Sequence, residues 1–179
     1  MKRLINSLFV VSSLFVSSFA FGVTMPFELP WMNHETAGTT YKSADHPQAV
    51  YVLEFYANFC GACNDNAPTV DRYVEKYKDQ PNVQVLDTGV DKVATEYASW
   101  ISRHKPNHPV LNGRALWDEL KAVYGFRFIP QAVVMNCKGE VLYVPEAGTW
   151  SSAVTKEMDR VIAEELAKDT CKPEEPTNP

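Results

Sequence analysis

The chain is short of positive charge. Its 17 lysines and arginines are outnumbered by 22 aspartates and glutamates, for a formal net charge of −5. No basic stripe or cluster runs along it, which excludes nucleic acid and anionic membrane as main partners. Cysteine is scarce: four in 179 residues, with a single CxxC and no second one. A structural zinc site wants two further ligands at matching spacing, and Cys137 and Cys171 do not supply them. The histidines, His34, His46, His104 and His108, are scattered, and Pro106 splits the last two. No metal site is expected. Internal repeats are lacking. Beyond the first twenty residues no apolar run is long enough to span a bilayer, so no stable membrane insertion is expected of the mature chain.

What is there begins with Lys2 and Arg3, followed by a mostly apolar stretch from Leu4 to Val16. Ser18-Phe19-Ala20 then places small residues at the spacing of a signal-peptidase site, and Ala20-Phe21-Gly22 offers a second. Residues 1–20 read as a secretory signal peptide, cleaved after residue 20 or after residue 22. The competing reading, an N-terminal membrane anchor, is disfavoured by the shortness of the stretch and its serines. Losing Lys2 and Arg3 takes the net charge from −5 to −7. Export, with the bacterial periplasm as destination, sets an oxidising context in which Cys60, Cys63, Cys137 and Cys171 can form two disulfides.

Residues 21–48 carry Pro26, Pro30, Gly38 and Pro47 and read as an irregular N-terminal extension. A domain of residues 49–170 follows. Ala49 to Ala57 is β-branched and aromatic, the signature of a buried strand. Gly61 to Lys78 turns helical, and Val83 to Val90 is a second strand. Lys92 to His104 is a helix, with Val93, Tyr97, Trp100 and Ile101 at helical spacing; KPNHP (105–109) breaks it. Arg114 to Tyr124 is a further helix stopped by Gly125. Gln131 to Asn136 and Glu140 to Val144 are strands joined by Cys137-Lys138-Gly139, and Ser151 to Lys168 is a long amphipathic helix. The tail, residues 171–179, is proline-rich, acidic and read as disordered. This order implies an α/β protein with a central mixed sheet flanked by helices.

The chemistry centres on EFYANFCGACNDNAP, residues 54–68. Cys60 follows a buried strand and opens a helix, where free backbone N–H groups and the positive end of the helix dipole converge. That setting favours thiolate, the nucleophilic form. Cys63 lies one turn on, on the same face and more shielded. One attacking and one resolving sulfur suffice for thiol–disulfide exchange.

The same stretch resembles the active-site region of the thioredoxin family. The strand-borne carboxylate falls at Glu54, the aromatic before the first cysteine at Phe59, and the helix-kinking proline at Pro68. A distant segment agrees: in YGFRFIPQAVVMNCKGEVLY (124–143), Ile129-Pro130 matches the family's X–cis-proline pair. The likeness covers residues 49 to 168 and implies a thioredoxin-like fold. Residues 92 to 124 add a helix and a proline-rich loop before the cis-proline strand, as in the exported TlpA/ResA-like branch, and Glu54 in place of aspartate suits that branch. The resemblance implies that Cys60 is the nucleophile, Cys63 the resolving cysteine and Glu54 the proton-transfer group. Phe59, Gly61, Ala62, Ile129 and Pro130 would meet substrate. Asp87 falls where thioredoxins often keep a lysine, and Gln131 replaces the threonine common after the cis-proline.

No cofactor is implied, since the electrons reside in the dithiol. The implied partners are cysteine-containing protein substrates and a protein that donates or accepts electrons. The Gly-Ala dipeptide lacks the histidine that stabilises the thiolate in strongly oxidising relatives, which leans the reading towards a reductant. Two rivals remain: a copper-delivery module using Cys60 and Cys63 as soft ligands, and a non-catalytic binding module on the same fold.

Cys137 and Cys171 play a different part. The outgoing strand and its continuation, residues 140–147, run roughly 26 Å at strand rise. The return helix runs back roughly 27 Å at helical rise. Its end thus comes level with the turn, and a structural disulfide between Cys137 and Cys171 is predicted.

Overall fold

The structure, a computed structural model, describes residues 22–146, 148–168 and 170–172. The signal-peptide reading of residues 1–20 and the end of the expected tail, residues 173–179, lie outside the described residues. Among those described, seven strands and four α-helices follow in the order β1 (Glu28–Pro30), β2 (Thr40–Lys42), β3 (Val50–Tyr56), α1 (Gly61–Tyr77), β4 (Val83–Gly89), α2 (Ala94–His104), β5 (Val110–Asn112), α3 (Arg114–Tyr124), β6 (Gln131–Met135), β7 (Val141–Tyr143) and α4 (Ser152–Leu166).

Five strands form one mixed sheet in the order β5-β4-β3-β6-β7. β3 is its centre, parallel to β4 and antiparallel to β6. Every residue of β3 is buried, as its sequence VYVLEFY implies for a strand covered on both faces. Alternation sends Tyr51, Leu53 and Phe55 to one side, where they meet Leu116, Trp117 and Leu120 of α3. Val50 and Val52 go to the other, against Tyr73 of α1 and Met158 and Ile162 of α4. Farther along that second side, Tyr56 packs with Cys63, Tyr97 and Trp100.

Two segments differ from the sequence reading. Residues 23–48 are not irregular: β1 and β2 pair antiparallel, and Val23, Phe27, Leu29 and Tyr41 are buried in the α3-side core. The loop expected after residue 104 is also shorter. Val110–Asn112 adds a parallel edge strand to β4. α2 ends on Lys105 in the left-handed region (φ 50°), and α3 ends on Gly125 (φ 67°), which adopts it without the steric penalty of a side chain.

Candidate active site

β3 delivers the chain to the site, and a short loop turns it into α1. Cys60 is the N-cap of that helix, with extended backbone, and its Sγ accepts from the Cys63 backbone N–H at 3.1 Å. The loop is clamped from several sides. The Asn58 N–H donates to both carboxylate oxygens of Asp91, at 3.1 and 3.0 Å. The Asn64 amide donates to the carbonyls of Asn58 and Cys60, while Arg103 and His104 of α2 bond its Oδ1.

Cys60 and Cys63 are joined as a disulfide, with Cα atoms 5.2 Å apart. The two sulfurs are unequal. Cys60 is half-buried at the surface, whereas Cys63 has no exposure and packs against the Tyr56, Ala67 and Trp100 cluster. Gly61 and Ala62 are exposed in the first helical turn. Phe59 is 78% exposed, an apolar ring standing in solvent beside Cys60. Pro68 sits inside α1, where it removes one backbone hydrogen bond.

The Ile129–Pro130 peptide bond is cis. The Ile129 carbonyl oxygen lies 3.6 Å from Cys60 Sγ, which brings the two distant motifs together. Gly148 lets another loop pass close behind: a Cβ there would stand 1.8 Å from the Pro130 carbonyl oxygen. Phe128, 57% exposed, adds a second apolar ring next to the cis-proline segment. Gln131 is buried and donates to the carbonyls of Ala132 and Pro145.

Glu54 lies inside the protein, not at a wet strand edge. Asn66 Nδ2 of α1 donates to its Oε1 at 2.9 Å, and Trp150 Nε1 donates to its Oε2. Asn66 also accepts from the Trp150 N–H at 2.9 Å. Burial raises the Glu54 pKa well above the ordinary carboxylate range. The Asn66 and Trp150 hydrogen bonds oppose the rise, and the neighbouring Asp87 charge adds to it. Asp87 is paired with Glu54 across the β3–β4 register. Asn66, Trp150 and the Asp91 clamp have no place in the sequence reading, although Asn66 sits within the quoted motif.

Cys137 and Cys171 lie apart from this site. They form a second disulfide, with Cα atoms 5.8 Å apart, which ties the β6–β7 turn to the segment after α4. Among the described residues no group of three His, Cys, Asp or Glu side chains is arranged to hold a metal ion.

The sequence model of the AhpC/TSA family matches residues 23–144. The chain belongs to that family. This AhpC/TSA chain is similar to the thiol-disulfide oxidoreductase ResA of Halalkalibacterium halodurans, 21% identical over 112 residues. The match spans 63% of this chain and 62% of that relative, less than two thirds of its length. Two solved structures share its architecture. A thiol:disulfide interchange protein of the thioredoxin family from Chlorobium tepidum superposes with a TM-score of 0.62 at 17% identity, over 79% of this chain and 93% of that one. A secreted Mycobacterium tuberculosis disulfide oxidoreductase, described as homologous to E. coli DsbE, gives a TM-score of 0.57 at 18% identity, over 78% and 96%. The fold is thioredoxin-like, and residues 92–124 hold α2, β5 and α3 ahead of the cis-proline strand.

Proposed function

We propose that the protein is an exported thiol–disulfide oxidoreductase that reduces disulfides in protein substrates through the Cys60–Cys63 couple. One observation carries the reading: the half-exposed Cys60 caps α1 beside the Ile129 carbonyl, with the fully buried Cys63 behind it. In the reduced form the Cys63 N–H and the helix dipole stabilise a Cys60 thiolate. That thiolate attacks one sulfur of a substrate disulfide. A Cys60–substrate bond forms, and the other substrate sulfur leaves with the electron pair. Cys63 then gives its proton to Glu54 and attacks Cys60 Sγ. The 60–63 bond forms, the mixed disulfide breaks, and the second substrate sulfur leaves and takes up a proton. Two electrons pass from the dithiol to the substrate, and a partner redox protein must restore them.

The Ile129–Pro130 backbone, Phe59, Gly61 and Ala62 border Cys60 and suit an extended peptide laid across the sulfur. The Gly-Ala dipeptide, with no histidine between the cysteines, supports the reducing direction. Export is supported by the signal-like residues 1–20 and by the secreted character of the Mycobacterium structure.

An insulin-reduction assay tests the proposal. Cys60→Ser is expected to abolish turnover. Cys63→Ser is expected to leave Cys60 trapped in a mixed disulfide visible on a non-reducing gel. Turnover that persists in Cys60→Ser sinks the reading. The direction rests separately on the midpoint potential, since a value near about −120 mV would mark a strong oxidant instead.

A further inference from the structure

Glu54 has a neighbour that the exchange scheme leaves unused. Asp87 stands opposite it in the parallel β3–β4 register, on the same face of the sheet, and both are buried. Two such carboxyl groups resist ionising together. The cation that can relieve them comes from the segment between α2 and β5. His108 Nε2 lies 3.3 Å from Asp87 Oδ2, and His108 Nδ1 lies 3.7 Å from Asp71 Oδ1 on α1. These are ion-pair distances without hydrogen-bond geometry: neither His108 nitrogen has a hydrogen-bond partner among the described residues.

The position is built. His108 is buried, and its carbonyl accepts from Asn33 Nδ2 at 2.8 Å, while Asn33 Oδ1 accepts from the Val110 N–H at 2.9 Å. Trp100 Nε1 donates to the same Asp87 Oδ2 at 3.3 Å, and the Trp100 ring belongs to the cluster around Cys63. The titratable groups facing His108 are Asp87 from β4 and Asp71 from α1; His104 from α2 lies near the same two carboxylates, and Glu54 from β3 stands behind Asp87. Lys78 shares one outer cleft with it, and His34 and Glu35 another. Burial lowers the His108 pKa, but the nearby carboxylates of Asp87 and Asp71 outweigh it, so the net direction is up. His104 goes the other way, lowered by burial and by Arg103, and adds little charge of its own.

We propose that His108 is a positioning residue for proton transfer at the dithiol. Paired with Asp87, it supplies the positive charge that lets Glu54 ionise beside a second carboxylate, and so sets the pH range in which Glu54 can accept the Cys63 proton. The inference rests on the reading of Glu54 as the proton carrier. His108 itself exchanges no proton with a thiol. The Cys63 proton goes to Glu54 as the 60–63 bond forms, and the departing substrate sulfur takes the electron pair.

The test is a carboxyl-carbon NMR titration of Glu54 in the oxidised protein, where neither Cys60 nor Cys63 holds a thiol. His108→Gln is expected to raise the Glu54 midpoint by at least about 1 pH unit. His108→Lys, which keeps a positive charge, is expected to bring it back towards wild type. Asp87→Asn is expected to lower the Glu54 midpoint. In the reduced protein, the pH profile of the resolving step should move with the titration. An unchanged Glu54 titration in His108→Gln overturns the proposal even where disulfide exchange is intact. Loss of exchange in the wild type would instead overturn the functional reading and leave the titration standing. Should His108→Gln fail to fold, the double variant Asp87→Asn/His108→Gln carries the test. Its Glu54 midpoint must lie above that of Asp87→Asn alone, which keeps the His108 charge, and a midpoint at or below that of Asp87→Asn overturns the proposal.

Discussion

A buried glutamate makes stability depend on pH. In the fold, burial and Asp87 keep Glu54 protonated to higher pH than in the unfolded chain. Its contribution is therefore fully present below the ordinary carboxylate range and is lost as pH rises towards the folded pKa. Within that window the wild type loses about 1.4 kcal/mol per pH unit from this group alone. Glu54→Gln escapes the loss. Denaturant unfolding at a series of pH values is expected to show the variant's relative stability growing with pH and then levelling off, whereas a difference independent of pH would contradict the assignment. In stopped-flow experiments the same substitution should slow the resolving step by roughly 10²–10⁴-fold, the usual worth of a positioned acid or base. Cys60, Cys63, Glu54 and Ile129-Pro130 were legible in the sequence because each belongs to a short motif of fixed spacing. Trp150 and His108 were not. Trp150 reaches Glu54 across 96 residues, and His108 is a lone histidine in a proline-rich stretch until the fold sets it against Asp87.

Among the elements, the long ones were readable, and of the four three-residue strands only β7 was. β3, α1, α3 and α4 fall within two residues of their expected bounds because each carries several periods of its pattern. β1, β2 and β5 have three residues apiece, too few for alternation to show, and prolines surround them. What gives residues 23–48 their order is burial. Phe27 packs against Tyr41 and Tyr51, with ring centroids 6.2 and 5.3 Å apart, and the Ser43 Oγ accepts from its N–H. Phe27→Ala is expected to cost about 3–5 kcal/mol, read as a lower denaturant midpoint. The potential of the Cys60–Cys63 couple should hold, because the rings Phe27 packs on are those of Tyr41 and Tyr51.

At the scale of the whole molecule, two disulfides serve different ends. The Cys60–Cys63 bond closes a ring of one helical turn, while Cys137–Cys171 closes a loop with a sequence separation of 34. A loop of that length restricts the unfolded chain by about 3–4 kcal/mol on the chain-entropy model. Cys171→Ser is therefore expected to lower stability by up to that amount while leaving insulin reduction at the wild-type rate, as thermal unfolding and the assay run side by side would show.

The sheet also has two poles. β3 runs from Val50 to Tyr56 towards the dithiol, and antiparallel β6 starts beside it at Gln131 and runs away. Gly22 bridges to Glu140 at the remote pole, where the Val23 N–H also donates to the Gly139 carbonyl. Any tether joined ahead of Gly22, whether a resin or a fused partner, would thus grip the molecule by its back and leave the reactive sulfur facing outward.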